Sequence, residues 1–166
     1  MKTHDVSRRP QRRDRLLREH IHDPYKTRLK LDDPTVCPQC GAVYRSDRWQ
    51  WGIKPADARE ELCQACHRIN DKYPAAEITV HGAFVARHRQ EILDLVRNEE
   101  KIENAEHPLH RIMDIVADED GLRITTTDIH LPRRIGLALA HAFNAPFDFD
   151  YDKEGYFLRG SWRRDD

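Results

Sequence analysis

The chain of 166 residues has no apolar run approaching the length of about 18 residues that a membrane-spanning helix needs. Its first 30 residues contain no apolar stretch and carry arginines throughout, so we expect no secretion signal and a cytoplasmic protein. The nucleotide-binding motif G-x-x-x-x-G-K-[ST] and the hydrolase motif G-x-S-x-G are both missing. No small-molecule substrate is therefore evident, and we expect a protein without enzymatic activity.

Cysteine is scarce as well, because the chain has only four and all of them lie in two C-x-x-C motifs. The motifs read C-P-Q-C at 37–40 and C-Q-A-C at 63–66, with 22 residues between them. Two such turns supply four thiolates, the closed tetrahedral set that is typical of structural zinc. Iron in the same sulfur cage is the rival metal. The sequence predicts a zinc ribbon over residues 31–72, with these ligands: Cys37, Cys40, Cys63 and Cys66.

Three other uses of these cysteines fit the sequence less well. The second motif continues into His67 and matches the C-x-x-C-H of haem attachment, which requires export. A redox C-x-x-C does not normally occur in duplicate, and disulfides are not expected without a secretion signal. Four thiolates also leave no open coordination position, so we expect a structural rather than a catalytic site.

Charge is distributed unevenly, although the net charge is only −1. Residues 1–72 hold 16 Lys and Arg against 11 Asp and Glu, whereas residues 73–166 hold 12 against 18. Residues 1–30 have too few apolar residues to fold alone, so we expect a disordered basic arm. Because guanidinium groups pair with phosphates and stack on bases, the arm favours RNA over a merely solvated tail. The arginines assigned to RNA binding are Arg8, Arg9, Arg12, Arg13, Arg15 and Arg18.

The segment between the two C-x-x-C motifs contains two tryptophans beside basic residues. In an extended segment Trp49 and Trp51 face the same way. They are candidates to stack on unpaired bases, with Arg48 and Lys54 beside them for phosphate contacts. The alternative is that the tryptophans pack over the small metal module, which has little other core.

Residues 73–166 read as one α+β domain with the element order β-α-β-β-α-β-β. Alternating apolar residues predict the strands, and stripes at helical spacing predict the two helices. The pattern favours a two-layer, ferredoxin-like fold with an added hairpin strand. The predicted elements span 77–81, 84–105, 109–116, 122–127, 131–143, 147–151 and 156–162, with a turn at 153–155.

A possible catalytic pair follows the fourth of these strands. Asp128 and His130 are two residues apart, a spacing found in metal-dependent hydrolases. Such a site needs further metal ligands, and the sequence has none at a spacing typical of these enzymes. The simpler interpretation is that Asp128 caps the second helix and His130 is a surface residue. His107 and His110 receive the same interpretation, so the sequence predicts no catalytic residue.

Several segments resemble a family of small bacterial zinc-ribbon proteins without an assigned activity. The segments that carry this resemblance are CPQCGAVY, RWQWG, LCQACHRI, YPAAEITVHGAF, LVRNEE, AEHPLHRIM and TTTDIHLPRRIG. The cysteine motifs and the stretch around 125–138 are also similar to the N-terminal part of the archaeal and eukaryotic large-ribosomal-subunit export adaptor. The 166 residues contain no counterpart of the adaptor's later domains and export signals, so we expect no role in export.

The resemblance to the adaptor implies a ribosome-associated protein that contacts rRNA, with the large subunit as the favoured partner. It also implies occupancy of tRNA sites, which would hold subunits or ribosomes translationally idle. Two alternatives stay open at this point: a regulator that binds DNA or mRNA, and a metal-dependent hydrolase that uses Asp128 and His130.

Overall fold

The computed structural model describes residue 25, residues 30–152 and residues 157–166. Within these ranges no helix is long and apolar enough to cross a membrane. The arginines assigned to the arm and the turn predicted at 153–155 lie outside the described residues. The elements in chain order are β1 (Thr35–Val36), β2 (Val43–Arg45), β3 (Arg48–Gln50), β4 (Arg59–Glu60), α1 (Gln64–Asp71), β5 (Ala76–His81), α2 (Ala83–Arg87), α3 (Arg89–Glu106), β6 (Ile112–Ala117), β7 (Gly121–Thr126), α4 (His130–Phe143), β8 (Phe147–Tyr151) and β9 (Leu158–Arg163).

The first sheet is small and carries the cysteines at its end. Its strand order is β3-β2-β1-β4, with β1 antiparallel to β2 and parallel to β4. Helix α1 follows and ends at Lys72, which adopts the left-handed conformation of a helix C-cap. Strands of two or three residues bury too little to be stable alone. We name residues 31–72 the cysteine module.

The second sheet has five strands in the order β6-β7-β5-β9-β8. Its central strand β5 is antiparallel to β7 and parallel to β9. Alternation along β5 buries Ala76, Ile78 and Val80 on the face that packs against the helices. The opposite face carries polar residues such as Glu77 and Arg123. The mixed α+β class predicted from the sequence is confirmed.

The last two strands differ from the ferredoxin-like arrangement that the sequence predicts. In that fold the strand after the second helix lies beside the first strand, but here β8 lies at the sheet edge and β9 pairs with β5. Strand β9 suits the inner position because Leu158 and Trp162 are fully buried. Strand β8 exposes Asp148 and Asp150, and charges on an edge strand oppose pairing with other chains.

Two boundaries also differ from the predicted ones. The helix predicted at 84–105 is divided into α2 and α3 at His88, whose backbone leaves the helical region. The strand predicted from 109 begins at Ile112, because the residues before it form a turn held by Thr127. The Thr127 hydroxyl donates to the Leu109 carbonyl at 2.6 Å and accepts from the Arg111 N–H at 3.0 Å. We name residues 107–111 the junction loop.

The core between sheet and helices is centred on Trp162, which is fully buried and donates its indole N–H to the Ala145 carbonyl at 3.1 Å. Phe147 packs against this core from β8. Its ring lies against both Gly136 of α4 and Gly160 of β9, and a Cβ at either glycine would overlap the ring. These two glycines therefore let α4 approach the sheet closely.

Candidate metal centre and its surroundings

The first cysteine pair lies in a tight turn between β1 and β2. The Cys37 N–H donates to the Ala42 carbonyl and the Gly41 N–H donates to the Cys37 carbonyl, both at 2.9 Å. Gly41 has φ +83°, a conformation that favours glycine. This turn brings Cys40 back beside Cys37, which directly follows the buried residue Val36.

The second pair lies at the N-terminus of α1. Cys63 is the N-cap residue, and its sulfur accepts a hydrogen bond from the Cys66 N–H at 3.4 Å. The Cys63 N–H points at the Cys37 sulfur, also at 3.4 Å. Backbone N–H groups and the positive end of the helix dipole both favour thiolate over thiol at this position.

The four sulfur atoms converge on one point and lie within 4.8 Å of one another. Cys37, Cys63 and Cys66 are buried, and Cys40 is partly exposed. In the described parts of the chain, no other group of three or more His, Cys, Asp or Glu residues converges in this way. The predicted ligands are therefore positioned to hold a metal ion, and four sulfur donors suit a soft or borderline metal.

Protons and a metal ion compete for these sulfurs. A hydrogen bond from Cys63 lowers the pKa of Cys40 to about 5. The same bond, followed by burial, raises the pKa of Cys63. Burial likewise raises the pKa of Cys66. A bound cation would replace the shared protons, so metal binding is expected to release protons and to weaken at acid pH.

Arg111, at the end of the junction loop, supplies a positive charge to the cysteine group. Its Nη2 lies 3.4 Å from the Cys63 sulfur and 3.3 Å from the Cys66 sulfur. Burial opposes the charge, but the hydrogen bond to Cys66 and the neighbouring sulfurs outweigh it and raise the pKa of Arg111. A divalent metal with four thiolates carries about −2, so the guanidinium offsets part of this charge.

The predicted tryptophans both have contacts inside the protein. Trp49 packs against the cysteine group and meets Tyr44 edge-on, with ring centroids 5.5 Å apart. Trp51 follows β3, is 41% exposed, and donates its indole N–H to the Asn104 carbonyl of α3 at 2.6 Å. Trp49 therefore packs over the metal module, as the alternative interpretation predicted. Trp51 instead links the module to α3 and keeps an exposed surface.

The two basic residues predicted beside the tryptophans are exposed. Lys54 forms an ion pair with Glu60 at 3.0 Å, and exposed pairs of this kind contribute little to stability. Arg48 lies on the edge strand β3. RNA binding by Arg48, Trp49, Trp51 and Lys54 stays a prediction.

The described end of the basic arm contacts the cysteine module. Tyr25 donates its hydroxyl to an Asp71 carboxylate oxygen at 2.8 Å, and its ring lies 5.8 Å from that of Tyr73. The Arg68 guanidinium lies over the Tyr25 ring at 4.5 Å. These contacts attach Tyr25 to the last turn of α1.

A cluster of histidines and carboxylates lies where the junction loop meets the start of α4. The His110 Nδ1 is 2.9 Å from Glu103 and 3.5 Å from Asp128. Its ring stacks against those of His107 and His130, with centroids 4.7 and 5.4 Å apart. We name His107, His110 and His130 the histidine stack.

Asp128 caps helix α4, as the sequence predicts. It lies two residues before His130, the first residue of the helix, and Ile129 occupies the N-cap position itself. Its Oδ2 accepts from the N–H groups of His130 and Leu131 at 2.7 and 3.0 Å. Its Oδ1 is buried and has no hydrogen-bond partner. Burial raises the pKa of Asp128, which makes the ionised form costly at this junction.

Desolvation by the neighbouring side chains lowers the pKa of His130, although the residue keeps exposed surface, so the neutral imidazole is favoured in the folded protein. Glu103 is affected oppositely: burial would raise its pKa, but the hydrogen bond from His110 and the nearby cations lower it. Perturbed groups of this kind occur at functional sites and in structural networks alike. The Asp128 and His130 pair does not belong to a convergent metal-ligand group in the described residues.

The sequence analysis did not identify the roles of Arg111, Glu103 and the histidine stack. These residues meet only because β6 pairs with β7, which brings the junction loop beside the segment after Thr126. The turn sequence from Asp118 to Gly121 signals the hairpin itself, but no local spacing signals that it places these side chains together. No family model, curated protein or solved structure matches this chain.

Proposed function

We propose that this protein binds RNA on the ribosome without catalysing a reaction, through the cysteine module and the basic arm. The observation that carries the proposal is the attachment of the arm to the module. Tyr25, which follows the Arg-rich residues in the chain, contacts α1 of the cysteine module, and the same module exposes Arg48 and Lys54. Separate positive groups joined in this way suit the phosphate backbone of folded RNA.

We propose zinc as the metal and assign it a structural role. The donor set is four sulfurs from two turns, and zinc accepts this set in tetrahedral geometry with no open position. A bound zinc would cross-link the β1–β2 turn to the N-terminus of α1. Elemental analysis of the purified protein should show about one zinc per chain, and Cys40→Ser should lose it.

The ribosome enters the proposal through the resemblance to the large-subunit export adaptor. That resemblance favours the large subunit as partner and tRNA sites as the place of binding. A protein held there would keep subunits or ribosomes out of translation. A regulator that binds DNA or mRNA through the same basic surface is the competing proposal, and the experiment below separates the two.

The test is co-sedimentation of the protein with ribosomes from a cell lysate at increasing salt. We expect the full chain to pellet with ribosomes or large subunits at low salt and to dissociate steeply as salt rises, because phosphate contacts release counterions. A variant lacking residues 1–24 should keep its metal and fold while the salt dependence becomes shallower. Tyr25 is retained so that its contacts with α1 stay in place.

A control variant in the same experiment keeps the arm and changes an exposed arginine of the α+β domain, Arg159→Gln. It should pellet like the parent. Failure of the full chain to pellet at low salt would contradict ribosome binding. Release of the protein by nuclease treatment of lysate DNA or mRNA, with ribosomes intact, would favour the regulator.

A further inference from the structure

We propose that Trp51, His107 and His130 form a stacking surface for unpaired RNA bases where the cysteine module meets the α+β domain. This inference deepens the proposed function and rests on it. It assigns RNA contact to the junction loop and to the start of α4, which the sequence analysis treated as a surface without a role. The occupant is a single-stranded segment of RNA.

The first part of the surface is held by Asn104. Its carbonyl accepts the Trp51 indole N–H at 2.6 Å, which fixes one edge of the ring while 41% of the residue stays exposed. The Asn104 side-chain amide donates to the carbonyls of Pro108 and His110 at 3.2 and 3.4 Å. One residue of α3 therefore positions both the indole and the junction loop.

The second part of the surface is the histidine stack. His110 is the central ring and is held by Glu103, with interplanar angles of 21° to His107 and 29° to His130. The two outer residues are exposed, and each packs one side against His110. An outer ring in such a stack is already oriented for another flat ring to be added.

Rings that are already fixed in the free protein lose little conformational entropy when RNA binds, so the entropic cost of binding is lower. Aromatic side chains, histidine among them, stack on splayed-out bases in single-stranded RNA. Each base stacked on such a ring contributes roughly fivefold or more to affinity. A duplex offers no base faces along its length, which is why the surface suits unpaired RNA.

The acidic residues of α3 do not oppose an RNA chain as strongly as their number suggests. Glu99 and Glu103 both bind Arg134, at 2.6 and 3.3 Å. Glu100 pairs with Arg97 at 3.6 Å. Three carboxylates share two arginines in these contacts, so part of the negative charge of α3 is compensated within the domain.

A positive group also borders the surface. Lys101 is exposed and lies one helical turn before Asn104, on the side of α3 that receives Trp51. An RNA backbone that contacts Lys101 would have its bases within reach of the rings.

The experiment measures binding of a fluorescent single-stranded adenosine 12-mer, and of a blunt-ended 12-base-pair RNA duplex, by fluorescence anisotropy. The double variant His107→Ala/His130→Ala should bind the single strand at least fivefold more weakly and the duplex unchanged. The ring-retaining variant His107→Phe/His130→Phe should bind the single strand within about twofold of the parent. His141→Ala, an exposed histidine at the other end of α4, is the control.

Circular dichroism and metal content are measured for each variant, and the phenylalanine variant keeps the test valid where the alanine variant is poorly folded. A folded alanine variant with parental affinity would overturn the stacking surface. So would a phenylalanine variant as weak as the alanine variant, or a parent that binds no single strand. If ribosome pelleting survives while these results are negative, the proposed function stands and this surface alone is refuted.

Discussion

Replacing Arg111 tests the link between the cysteine group and the α+β domain. Arg111→Met keeps an unbranched stem of similar length and removes the charge that lies 3.3–3.4 Å from two cysteine sulfurs. The backbone N–H of residue 111 still donates to Thr127, so the junction loop keeps its main contact. We expect the variant to fold with zinc and to bind it more weakly.

The size of the effect follows from the distances. A full charge pair at this separation attracts by about 5 kcal/mol at an effective dielectric of about 20. A bound metal would withdraw charge from the thiolates, and burying the guanidinium costs part of the remaining attraction. Residues that support metal ligands typically contribute 10–100-fold in affinity, about 1.4–2.7 kcal/mol. We therefore expect zinc affinity to fall by about 10–100-fold.

The assay is competition with a chromophoric zinc chelator at constant pH. Arg59→Met is the matched control, because Arg59 is an exposed arginine of the same module and binds Asp32 at 3.1 Å instead of a cysteine. Arg111→Lys should fall between the parent and Arg111→Met, since it keeps the charge without the guanidinium geometry. Equal zinc affinity in Arg111→Met and in the parent would refute the reasoning.

Two further predictions concern the α+β domain. Gly136→Ala should lower the free energy of unfolding by about 1–3 kcal/mol, because its methyl group would overlap the Phe147 ring. Leu137→Ala, a change of an exposed neighbour, should cost much less in the same urea titration, and equal costs would contradict the close approach. For His130, desolvation by neighbouring side chains lowers the folded-state pKa below the ordinary 6.5, so the unfolded chain takes up a proton that the folded chain does not. Stability should fall as pH drops below about 6.5, and the loss between pH 7.5 and 5.5 should be smaller in His130→Gln than in the parent; equal losses would contradict this assignment.

The metal ligands could be predicted from the sequence because their chemistry is local. A C-x-x-C turn brings two sulfurs together through a few backbone torsions, and two turns with no other cysteine leave little choice of partner. The elements of the α+β domain were predictable for a similar reason, since Ile78 and Val80 alternate on β5 with polar neighbours.

Strand order was harder to predict, because it depends on which of the last two strands packs beside the central strand β5. Both β8 and β9 alternate, but only β9 carries a tryptophan that the core encloses completely. Placing Trp162 beside β5 moves β8 to the edge, where its aspartates are tolerated. The pattern of either strand alone does not contain this information.

The contacts around Thr127 indicate why a metal in the cysteine module would affect the rest of the chain. The Thr127 hydroxyl holds the Leu109 carbonyl, and its oxygen accepts the N–H of Arg111, whose side chain reaches the cysteine sulfurs. Losing the metal would let protons return to the buried thiolates, which reduces the negative charge that pairs with the Arg111 guanidinium. The junction loop would then loosen together with His110, which lies between Leu109 and Arg111. Metal binding and the order of the histidine stack are therefore expected to be coupled, although no residue of the stack binds the metal.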